Sequence, residues 1–122
     1  MASLYDRIGG ESTIDAVVPM FYRKVMGDAR VNIFFEGVDI NKLAIKMKIF
    51  LTMALVGASG FNTKNLRDAH SNLVDEGLNN VHFDVFVKHL GDTLNKLSIS
   101  KVDAEEVIAI VNRMRDDVLC KN

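Results

Sequence analysis

Apolar residues recur at three- and four-residue intervals along nearly the whole chain, the period with which an α-helix buries a single stripe. Ile14, Val17, Val18, Phe21 and Val25 follow it, as do Phe83, Phe86, Val87, Leu90, Leu94 and Leu97, and then Val107, Ile110, Val111, Met114 and Val118. No run alternates at the two-residue period of a strand, so an all-α fold is expected. Gly9-Gly10 ends a short first turn. Pro19 falls inside the first long stripe, removes an amide and crowds the carbonyl of Asp15, which predicts a kink or a helix that restarts near Val18. Ala29 to Phe35 reads as a compact connector, and Asp39 as the cap of a helix running to about Val56, ended by Gly57 and Gly60. A short helix around Leu66, His70 and Leu73 comes next. Asn80 is the expected cap of the following helix, and Asp103 with Glu106 gives the last one a capping-box-like start. Two antiparallel helix pairs packed on each other account for these stripes.

At 122 residues with 48% hydrophobic content, the chain reads as one packed domain, residues 1–122, rather than a disordered segment. The net charge of −1 and the scattered basic residues leave no footprint for nucleic acid. A lone cysteine, Cys120, cannot close an internal disulfide. The start passes at once into Asp6, Arg7 and Glu11 without an apolar leader, and no run reaches membrane-span length. A cytoplasmic protein without a membrane partner is expected. Nothing in the pattern calls for an obligate interface, so a monomer is expected too.

The segment from Asp39 to Val56 departs from the one-stripe rule. Leu43, Met47, Phe50 and Ala54 form one face, and Ile45, Ile49, Thr52 and Met53 lie roughly opposite. A second apolar face asks for a second apolar neighbour. A cofactor plane and a protein layer on both sides satisfy it equally, and the helix alone leaves both open. Tyr22, Phe35 and His70 could together line a haem pocket, although a lone histidine on a short helix is more often an ordinary polar residue than a ligand. An imidazole can hold iron, a phenol can hydrogen-bond a gas, and an aromatic ring can pack on a porphyrin. His82 and His89 stand seven apart on one helix, but no third ligand accompanies them, and helix-start or surface roles are expected.

The order Leu4-Tyr5-Asp6-Arg7-Ile8-Gly9-Gly10, Phe21-Tyr22, Phe34-Phe35, Leu66-Arg67-Asp68-Ala69-His70, Val81-His82-Phe83-Asp84 and His89-Leu90 resembles the group I truncated haemoglobins of bacteria, cyanobacteria, ciliates and green algae. The similarity runs over essentially the whole chain. It implies a two-over-two helical sandwich that holds haem b and meets oxygen, nitric oxide or carbon monoxide. Carried over by position, His70 is the proximal iron ligand, Tyr22 the distal donor and Phe35 the ring packed on the haem. Leu43, Lys46 and Met47 fall on the distal helix facing the iron; Phe50, Leu66, Phe83 and Phe86 line the cofactor; Arg67 falls where basic residues of the family reach a propionate.

Several positions depart from the family pattern. Met47 stands where many relatives have a glutamine that joins the tyrosine, and a thioether offers no donor. Lys46 is then the other polar group near the distal side. Its stem can lie along Leu43, Met47 and Phe50 while the amine snorkels to a propionate, or the neutral amine can turn inward as a second iron ligand beside His70. Algal relatives use lysine at this position and cyanobacterial ones histidine. Met114 stands where certain cyanobacterial members have a histidine linked to a haem vinyl group, so no such link is expected. Ala58 replaces the second glycine of the usual pair after the distal helix, and Pro19 is unusual for the family. The resemblance leaves the reaction open between nitric oxide dioxygenation, weak peroxidase chemistry, and gas carriage or sensing without turnover, the redox readings requiring an unidentified reductase. An all-α interaction module without haem, its aromatics being core, is the contrasting reading.

Overall fold

A computed structural model describes residues 2–57 and 63–121, the side chains of 63–65 excepted; the expected roles of Ala58 and Gly60 lie outside the described residues. Among the described residues the regular structure is helical: α1 (Leu4–Ile8), α2 (Glu11–Met26), a 3-10 turn (Asn32–Phe35), α3 (Ile40–Val56), α4 (Thr63–Asp75), α5 (Asn80–Lys96), α6 (Lys101–Asn112) and α7 (Arg115–Val118). Helix α2 packs on α3, α5 packs on α6, and the two pairs meet where α2 lies against α5, a two-over-two sandwich. Helix α1 contacts both α3 and α6. No helix of the described residues is long and apolar enough to cross a membrane.

The stripes form the core as their spacing requires. Ile14, Val17, Val18, Phe21 and Val25 of α2 are buried with Leu51 and Leu55 of α3, Leu90 and Leu94 of α5 and Val107 of α6. Burying a side chain of this kind contributes about 1.5–3 kcal/mol, so α2, with five such residues in its stripe, is the keel of the fold. Gly9 joins α1 to α2 at φ 116, and a Cβ there would collide with the Thr13 hydroxyl. Across that corner Arg7 bonds Asp103 Oδ1 at 3.2 Å and Glu106 Oε2 at 2.7 Å, tying α1 to α6.

Three local expectations change. Helix α2 runs through Pro19 without restarting near Val18, because the ring sits on the exposed side, where solvent can take the carbonyl that loses its amide partner. Helix α5 is capped by Asn79, not Asn80: the Asn79 side chain accepts from Val81 N at 2.9 Å, and His82 Nδ1 accepts from Asn79 N at 3.1 Å, closing a capping box. The final helix starts earlier, with Ser100 accepting from Asp103 N, and splits at Arg113-Met114 into α6 and α7; Asp103 and Glu106 serve Arg7 instead. On α3, Ile45 and Ile49 are 59% and 57% exposed, while Thr52 and Met53 are half-buried.

Candidate functional site

His70 lies on α4, whose principal helical neighbour is α7. Leu73 and Val74, at the C-terminal end of α4, reach the core, while Leu66 and His70 are half-buried. His70 Nδ1 is 2.7 Å from the carbonyl of Leu66 one turn back. A carbonyl only accepts, so Nδ1 carries a proton, and in the neutral imidazole Nε2 is then the nitrogen with the lone pair that can bind a metal. The Leu66 carbonyl thereby fixes both tautomer and ring orientation, as outer partners do for metal-bound histidines.

The aromatic side of the site comes from three other elements. Phe21 and Tyr22 lie in the C-terminal half of α2, Phe35 closes the 3-10 turn and Phe86 lies on α5. Their rings meet edge to face or tilted: Phe21–Tyr22 at 5.2 Å, Tyr22–Phe35 at 6.1 Å, Phe35–Phe86 at 5.9 Å and Phe21–Phe86 at 6.5 Å between centroids. Tyr22 is 6% exposed, and burial pushes its phenol up to about 12, so it stays protonated and able to donate across the physiological range. Leu43, Met47 and Phe50 of α3, with Phe86 and Val87 of α5, are partly buried and pack against the core. A proximal nitrogen with its lone pair kept free, an aromatic cluster and half-buried aliphatic residues are the donor set and the walls that an iron porphyrin fits.

Three of the expected residues have the following surroundings. Lys46 is exposed on α3. Arg67 directs its guanidinium to α7, with Nε 3.1 Å from Asp117 Oδ1 and Nη2 donating to the carbonyl of Lys121. Phe83 is buried beneath Arg115, whose guanidinium carbon sits 4.5 Å from the ring centroid, so this ring serves the joint between α5 and α7. A surface hollow of about 380 Å³, lined by Arg7, Thr13, Leu97 and Ser100 among others, lies by the α5–α6 turn, away from His70 and Tyr22.

One group near the aromatic cluster was not legible beforehand. Asp28, six residues beyond Tyr22, accepts from Arg30 Nη2 at 2.6 Å and from Arg30 N at 2.9 Å, and lies 2.7 Å from His89 Nε2. The Arg30 side chain, then its backbone amide, then His89 hold the Asp28 carboxyl well below the usual carboxylate range. A depressed acid stabilises the fold fully above its ordinary pKa of 3.8 and loses that contribution as pH falls toward the lower folded value. Asp28→Asn should therefore flatten the acid limb of stability: between about pH 5 and about pH 2 the urea midpoint of wild type falls more steeply than the variant's.

The bacterial-like globin family model matches residues 3–120. The group 1 truncated hemoglobin of Tetrahymena pyriformis is 34% identical over 119 residues, covering 98% of this chain and 96% of its own length. That of Chlamydomonas moewusii is 38% identical over 117 residues, covering 96% of this chain and 68% of its own. Among solved structures, the 2/2 hemoglobin from Synechococcus sp. PCC 7002, in the cyanomet state and with covalently attached heme, superposes with a TM-score of 0.92 at 41% identity, covering 98% of this chain and all of that one. Fold, helix order and residue pattern converge, and the chain belongs to the bacterial-like globin family, among the group 1 truncated haemoglobins.

Proposed function

We propose that this chain holds haem b through His70 and binds diatomic gases, O2, NO and CO, on the side of the iron served by Tyr22. The observation that carries the reading is the 2.7 Å contact between His70 Nδ1 and the Leu66 carbonyl, which keeps Nε2 available as a ligand. Haem supplies gas binding and one-electron redox chemistry. Tyr22, kept protonated by burial, presents a hydroxyl donor to a gas that gathers negative charge. Phe35, Phe50 and Phe86 provide apolar walls, and Met47 and Leu43 add no second donor. Met114 heads α7 as a thioether, so the cofactor is held without a link at that position.

Among the α3 residues carried over to the distal side, Leu43, Lys46 and Met47, the polar one is Lys46. Its flexible stem lets the exposed amine turn toward the site and, once neutral, act as a reversible sixth ligand. Such competition slows gas capture and favours redox chemistry, dioxygenation of nitric oxide to nitrate with an electron-donating reductase, over carriage. The test is an absorption spectrum of the haem-loaded protein with and without this lysine. Wild type is expected to show a Soret band and low-spin ferric features, and Lys46→Ala a high-spin ferric spectrum with faster CO association. Identical spectra would remove the lysine from the iron, and a colourless wild type would remove the haem.

A further inference from the structure

Among the described residues, the helix that carries His70 is held mainly by the C-terminal segment, and the contacts converge on one residue, Arg67. Its guanidinium binds Asp117 Oδ1 at 3.1 Å and the carbonyl of Lys121, and its own carbonyl accepts the Cys120 thiol at 3.3 Å. Both ends of Arg67 are thus fixed to α7 and the turn after it. The Arg67 amide shares a rigid plane with the Leu66 carbonyl, the group that accepts the His70 Nδ1 proton. Tilting Arg67 tilts that carbonyl, and with it the imidazole.

The far side of this arrangement is itself anchored. Arg115, at the start of α7, bonds Asp84 Oδ1 at 2.6 Å and covers Phe83, so α7 is secured to α5; Leu119 is 3% exposed. The chain then turns back on itself, with Cys120 at φ 55, Lys121 N bonding Asp116 O at 2.8 Å and Cys120 N bonding Asp117 O at 3.4 Å. These are the two closing bonds of a helix C-terminal Schellman turn. They aim the Lys121 carbonyl and the Cys120 thiol at α4.

We propose that the C-terminal segment is a latch that orients the proximal ligand, with Arg67 and Asp117 as positioning residues acting through the Leu66–Arg67 peptide on His70. The inference rests on the haem reading above. It gives Arg67 a role toward α7 and the turn after it, where position in the family pattern suggests a propionate. Latch and propionate roles separate at Asp117: removing this carboxylate breaks the latch, yet leaves Arg67 free to serve a propionate.

The test compares haem-loaded wild type, Asp117→Asn, Arg67→Gln and Arg67→Lys by two readouts. One is the rate of haem transfer to a scavenging apoglobin. The other is the set of proton NMR shifts of the His70 ring in the ferric cyanide form, where cyanide fills the sixth position in every variant. The latch predicts that Asp117→Asn and Arg67→Gln both speed haem loss roughly fivefold and move the His70 shifts in the same direction. Arg67→Lys keeps the charge opposite Asp117 but loses the second donor, so it falls between them and wild type. The proposal is overturned if Asp117→Asn matches wild type in both readouts, whether or not Arg67→Gln loses haem faster. Should Asp117→Asn fail to fold, Arg67→Lys decides, and His70 shifts identical to wild type overturn the latch. A wild type that takes up no haem refutes the functional reading instead and is seen before any variant is made.

Discussion

His70→Gly, expressed with excess haem, is expected to lose the cofactor on purification, and free imidazole is expected to restore part of the colour. On the proposed reading the imidazole is the protein's bond to the iron, its tautomer set by the Leu66 carbonyl. Loss of a supporting outer partner costs about 10–100-fold in metal affinity, so loss of the ligand itself should exceed roughly 100-fold. Glycine leaves room for an added imidazole molecule, which can supply the nitrogen but not its attachment to α4. Half-buried His70 makes a small contribution to the core, so the far-UV dichroism of the variant should stay close to that of wild-type apoprotein. Titration of haem into the apoproteins, followed in the Soret region, gives the two affinities. A variant that keeps haem as tightly as wild type, with the same ferric spectrum, would show that His70 is not on the iron.

The parts of this molecule legible in its sequence are those with local, repeating causes. The α2 stripe had to be buried because five aliphatic or aromatic residues fall on one side of one helix, and all five are buried. Asp39 could be read as a cap because its carboxylate needs only the amides two and three residues ahead, Asn41 and Lys42. The cap of α5 slipped by one residue because two neighbouring asparagines compete, and the choice was made by His82, whose ring completes the box from the third helical position. The last helix was misjudged for a related reason: Asp103 and Glu106 look like a helix start, but their carboxylates are held by Arg7, nearly a hundred residues earlier.

The candidate site divides in the same way. Tyr22 lies beside the buried stripe of α2 and Phe35 ends the 3-10 turn, two elements that the core packs together, and their rings meet. Arg67 depends on Asp117 and Lys121, and Asp28 on His89; these pairs span 50, 54 and 61 residues. No periodicity encodes such distances. They follow from which helices the core brings side by side, and they were recoverable only once α4 was seen against α7 and the corner after α2 against α5.

Tyr22→Phe keeps the ring and removes the hydroxyl, and it should raise the O2 dissociation rate far more than the CO rate. Oxygen draws electron density when it binds ferrous haem, so a donor beside it gains strength from the developing charge, whereas CO stays nearly neutral. A hydrogen bond to a charged acceptor is worth about 1.5–3 kcal/mol, which converts to a roughly 10- to 100-fold faster release of oxygen. Phenylalanine preserves the edge contacts with Phe21 at 5.2 Å and Phe35 at 6.1 Å, so packing should be little disturbed and the effect can be assigned to the lost donor. Because burial pushes the Tyr22 phenol up to about 12, the wild-type oxygen rate should stay flat from about pH 6 to about pH 9, with no ionisation of this group to interrupt it. Stopped-flow displacement of O2 by CO measures the oxygen rate, and displacement of CO by NO measures the other. Equal acceleration of both gases would assign Tyr22 a steric role, and no change in either would move the distal donor from Tyr22 to another side chain, with Lys46 of α3 as the candidate.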